Sequence, residues 1–182
     1  MKRWTLFFCL AALAMPFASH AGEPLFVQVP ATVDASATIP DAVRKECGIQ
    51  AAVANEVVTA LESGRVEVKK IAAPPEAGQG ELLQLTILGA AGYGGGSWSG
   101  PKSMSVRVDL RKGDALLAMT VLSRSTGGGP LSGFTGTCEM IDRVAGALGK
   151  DTARWLVRAR EAHAKAKAAI APVAELPASA AH

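Results

Sequence analysis

Histidine is the scarcest reactive side chain in this sequence: among 182 residues, only His20, His163 and His182 carry an imidazole. None of them lies between positions 21 and 162. That gap excludes Ser–His and Cys–His nucleophiles, and histidine-ligated metals, from the body of the chain, because each needs an imidazole at its centre. No motif calls for a cofactor. Long apolar runs are just as scarce. The single candidate, Trp4–Phe17, has 14 residues, short of the ~20 that a bilayer-crossing helix needs. A surplus of one charge is missing too. The formal net charge of +3 includes Lys2 and Arg3, while residues 22–150 hold 12 basic against 13 acidic side chains. Without a concentrated basic face on the domain, nucleic acid is not an expected partner.

What the first residues do contain is a leader. Lys2 and Arg3 precede the apolar run, Pro16 breaks it, and Ser19 and Ala21 take the small-residue positions of an A-x-A-like cleavage site. Cleavage is expected between Ala21 and Gly22, which delivers the mature chain to the periplasm or the medium with no transmembrane segment. Cys9 leaves with the leader. Cys47 and Cys138 remain, and an even pair in an exported chain is expected to form one disulfide. The domain is expected over 22–157, followed by an Ala/Lys/Pro-rich tail over 158–182 that frays and then becomes disordered.

Periodicity gives the elements. Leu25–Val29 is β-prone, and residues 30–40 read as a connection. Asp41–Leu61 carries Ile49, Val53, Val57 and Leu61 at helical spacing, with a bend expected near Gly48. Strands are expected over 65–71, 81–91, 102–110 and 115–124, the last two as a hairpin around Arg111–Asp114. A helix follows from Thr137 to Leu148, stopped by Gly149, with Asp151 capping a further turn or two. This order predicts an α+β fold: an antiparallel sheet of four to five strands, two helices packed on one face, and one disulfide joining the helices.

Two glycine-rich segments, 92–100 and 127–136, should leave the same end of the sheet, and they hold most of the few aromatics of the mature chain: Tyr93, Trp98 and Phe134. With Lys102 and Arg124 beside them they form a candidate binding rim for a small ligand or an envelope protein partner. The competing reading is structural: Trp98 closes the end of the core and the glycines let backbone wrap around it. Nucleotide motifs fail, since Pro101 stands where a P-loop lysine belongs and the loop joins two strands. Carboxylate pairs are formally available in Glu81 with Asp109 or Asp114, as is a device built on Ser97 and Lys102. All of these belong by default to solvated strand ends and loops. The expected function is therefore a non-catalytic exported envelope protein, a binding or assembly-accessory module. The alternative is a small hydrolase or transferase working at the glycine-rich rim.

The stretch Gly94–Arg107, together with Arg124-Ser125, Gly133–Cys138 and Gly149–Leu156, resembles a family of small exported proteobacterial proteins of unknown function. The resemblance covers the C-terminal half of the domain and implies an envelope location, with no activity or ligand attached. Val144 stands where some members of that family would carry a further cysteine, which favours the simple Cys47–Cys138 pair.

Overall fold

A computed structural model describes residues 24–74, 80–91, 101–126 and 136–170. Along the chain these form β1 (Leu25–Gln28), β2 (Thr32–Thr38), α1 (Asp41–Glu46), α2 (Ile49–Ser63), β3 (Val68–Ile71), β4 (Glu81–Ala91), β5 (Ser103–Lys112), β6 (Ala115–Ser125) and α3 (Thr137–Ile170). The sheet has six strands in the order β3-β1-β4-β5-β6, with β2 pairing the far end of β4.

The antiparallel part is the expected meander. β4 pairs β5 from Glu81↔Lys112 to Ala91↔Ser103, and β5 pairs β6 from Ser103↔Ser125 to Lys112↔Ala115. Strict alternation drives it: Met104, Val106, Val108 and Leu110 are all buried against the helices. The other half corrects the expectation of a purely antiparallel sheet, because β1 lies parallel to both β3 and β4, and β2 lies parallel to β4. Parallel neighbours need a long crossover, and α1 with α2 supplies it between β1 and β3. Residues 30–40, expected as a connection, contain β2. Its pairing with β4 is supported by the Thr32 hydroxyl, 3.2 Å from the Leu85 carbonyl and 3.1 Å from the Thr86 hydroxyl.

The bend expected near Gly48 is a full break. Gly48 has φ +53, a left-handed conformation that costs a residue without a Cβ little, and it divides α1 from α2. The opposite happens at Gly149, expected as a helix stop. Here α3 runs uninterrupted, and a Cβ at Gly149 would lie 2.6 Å from the Glu56 carbonyl oxygen of α2. The glycine lets two helix backbones touch; it does not end one. Past residue 157 the helix continues to Ile170 with residues 161–170 fully on the surface. Alanine, lysine and glutamate favour helix intrinsically there, without a packed face.

α2 and α3 pack side by side over one face of the sheet. Leu83, Leu85 and Ile87 of β4 meet Val53, Val57 and Leu61 of α2 and Ile141, Val144, Leu148 and Leu156 of α3 in one core. Cys47, at the end of α1, is disulfide-bonded to Cys138 in the first turn of α3, with Cα atoms 4.9 Å apart across 91 residues of sequence. A loop of that length is worth roughly 4–5 kcal/mol in the chain-entropy model.

A candidate binding crevice between β6 and α3

The ends of β4, β5 and β6 converge as the meander requires: Ser103 pairs with both Ala91 and Ser125. The Thr126 amide donates to the Lys102 carbonyl at 2.8 Å, and the Lys102 amide donates to the Thr126 hydroxyl at 3.1 Å. Both glycine-rich segments therefore attach at this end of the sheet. Tyr93, Trp98 and Phe134, expected at the rim, lie outside the described residues, as does Ser97. Lys102 is described, and its side chain is fully buried, so it stands within the sheet end instead of on the surface beside it.

Arg124 is the expected site residue that reaches an open site. Its side chain is 49% exposed, and its Nε donates to Asp151 Oδ2 across the gap between β6 and α3. Arg154, one turn along α3, donates to the other oxygen of the same carboxylate. The hydrogen bond from Arg124 holds the Asp151 carboxyl below the usual carboxylate range; burial opposes this, and Arg154 reinforces it. Asp151 reciprocates by raising the Arg124 guanidinium above its ordinary value. The two arginines are open to solvent while Asp151 is nearly buried. The bracket therefore works mainly as a brace between strand and helix.

Beside the bracket is a cavity of about 390 Å³ lined by Val121, Leu122, Ser123, Arg124, Asp151, Arg154 and Arg158. Three guanidinium groups face one carboxylate, and the site carries an excess of positive charge. The Ser123 hydroxyl is hydrogen-bonded to that of its cross-strand neighbour Ser105 at 2.7 Å. The arrangement can hold an anionic group. Asp151, Arg154 and Arg158 were missed in the sequence because Gly149 reads as a helix end. On an unbroken helix their i, i+3, i+7 spacing puts them on one face.

A second cavity, of about 350 Å³, lies where α3 crosses the opposite end of the sheet, lined by Glu81, Leu110, Lys112, Leu117, Arg160, His163, Ala164 and Lys167. Arg160 binds Glu81 at 2.5 Å there. The carboxylate pairs considered from sequence do not form. Asp109 lies opposite Gln84, pointing away from the helices, and bonds Arg107 at 3.2 Å, while Asp114 sits in the β5–β6 turn. Among the described residues, no three His, Cys, Asp or Glu side chains group closely enough to hold a metal ion, and no helix is long and apolar enough to cross a membrane.

A mixed α+β sheet covered on one face by two helices defines the structural class. No protein-family model and no curated protein matches the sequence. Among solved structures, the chain is similar to a Xanthomonas campestris protein of family DUF330, at 8% identity and a TM-score of 0.52 over 83% of this chain and 93% of that one. The PelC dodecamer of Paraburkholderia phytofirmans aligns at 13% identity and a TM-score of 0.47, over 72% and 85%. A minor lipoprotein of Acinetobacter baumannii aligns at 11% and 0.42, over 76% and 94%. The first of these shows a shared fold.

Proposed function

We propose that this chain is a non-catalytic, exported envelope protein that binds a partner or ligand at the end of the sheet where β6 meets α3. The observation that supports it most is the β6–α3 crevice, where Arg124, Arg154 and Arg158 line one cavity with a single carboxylate, Asp151. Export after cleavage between Ala21 and Gly22 accords with the Cys47–Cys138 disulfide, a bond that persists in oxidising compartments. Tyr93, Trp98 and Phe134 belong to segments that start from the same strand ends, and on this reading they extend the binding rim beyond Arg124. Lys102 supports the base of that rim from inside.

Site-specific photocrosslinking in cells tests the reading. A photoreactive residue at Val121 or Arg158 is expected to yield discrete adducts in the exported fraction, and one at Lys69 on the far edge of the sheet is expected to yield none. Equal adducts at all three positions, or none at Val121 and Arg158, would overturn it.

A further inference from the structure

β6 ends the sheet. One of its sides is bonded to β5 throughout, and the other faces no strand among the described residues. Exposed edges are ordinarily blunted by charge, proline or shortness, because unpaired amides and carbonyls invite another strand. This edge is 11 residues long, and Ala115–Ser123 contains neither a charged residue nor a proline. Leu116, Met119 and Val121 of this strand are each more than half exposed, opposite Arg111, Asp109 and Arg107 of β5 on the face that turns away from the helices. Such a strand is a template for β-augmentation, in which main-chain hydrogen bonds supply affinity and alternate side chains supply specificity.

The crevice says what those side chains should be. Val121, Leu122 and Ser123 of β6 form one wall, and Arg154 and Arg158 of α3 form the other. Asp151 accepts from Arg124 and Arg154, while Arg158 has no ion-pair partner among the described residues. A strand added to β6 turns every second side chain toward α3. Side chains on that face meet guanidinium groups, whose planar forks match carboxylates.

Resting on the binding-module reading above, we infer that β6 accepts an extended, acidic segment of a partner protein, with carboxylates on its helix-facing side paired to Arg154 and Arg158. A second copy of the chain fits less well. Antiparallel β6–β6 pairing keeps both helix layers on one face and brings the two arginine rows toward each other, and like charges disfavour that.

The test uses the mature, disulfide-intact protein and ten-residue peptides alternating threonine or valine with glutamate, read by calorimetry. The glutamate peptide should bind, and should weaken as salt rises. An isosteric glutamine peptide should bind at least tenfold more weakly, and so should a glutamate peptide N-methylated at alternate residues. A double Arg154→Glu, Arg158→Glu variant should lose at least tenfold, with its disulfide and near-UV circular dichroism unchanged. Equal binding of the glutamine or N-methylated peptide overturns the inference. So does inorganic phosphate displacing the peptide at equal concentration, which would make this a small-anion site. A dimer in sedimentation that Val121→Lys dissolves would assign the edge to a second copy. If no acidic peptide binds while crosslinks at Val121 and Arg158 persist in cells, the partner class is wrong and the binding module stands.

Discussion

The two halves of the sheet are held by different means. On the β1–β3 side the strands are short and parallel, and α2 lies over them. There β3 puts Lys69 and Lys70 on the outer edge, so it is brief and charged. On the β5–β6 side the strands are long and antiparallel, and the outer edge is apolar and uncharged over nearly its whole length. The first half closes its edge with charge, and the second leaves its edge without a neighbouring strand among the described residues. A protein that only needed to fold would guard both edges alike.

Perturbations of decreasing size test that division. The largest effect should come from the Cys47→Ser, Cys138→Ser double variant, which frees α1 from α3 and should cost about 4 kcal/mol in a urea melt. A loss below ~1 kcal/mol would show that the helix layer does not depend on the crosslink. Gly149→Ala comes next. Alanine is the better helix former, yet its Cβ would press on the Glu56 carbonyl, so a net loss of about 2 kcal/mol is expected. A gain in stability would mean that α2 and α3 can separate freely.

Asp151→Asn acts on the brace between β6 and α3 and should cost about 1–2 kcal/mol at pH 7, discounted because both arginines are solvated. Its sign with pH is fixed by the lowered carboxyl. The folded state binds the proton less readily than the unfolded state. The contribution is therefore complete above about pH 4 and disappears as pH falls through the depressed folded value. Wild type and variant should converge in acid; a constant difference down to pH 2 would contradict the ion pair. The smallest effect is expected at the open edge itself. Met119→Lys should leave stability within about 0.5 kcal/mol, since the side chain is 55% exposed. A larger loss would mean that β6 packs on something in the free protein.

The same division governed what could be read from the sequence. β4 and the β5–β6 hairpin were legible because alternation over ten residues has few alternatives. The parallel half was not. β1 and β3 have four residues each, too few for a period to show, and β2 is a run of small polar residues held as a strand by β4. Gly149 carried the largest misreading, because a glycine between apolar turns looks the same whether it ends a helix or lets another one approach. That one residue hid the continuity of α3, and with it the common face of Asp151, Arg154 and Arg158. Arg124 was legible as a cation beside a glycine-rich segment. The buried position of Lys102 was not, since nothing in the local pattern separates a lysine at a rim from one folded beneath it.

The disulfide also draws a covalent circle from Cys47 to Cys138 that contains β3, β4, β5 and β6 and leaves out β1 and β2. A protease that cuts once between residues 48 and 137, in either glycine-rich segment for instance, yields two pieces that still migrate as one until reductant is added. A cut between β2 and α1 releases β1 and β2 from any covalent tether, and β1 is hydrogen-bonded on both sides, between β3 and β4. After such a cut β1, with a strand on each side, is thus kept in the sheet by non-covalent forces alone.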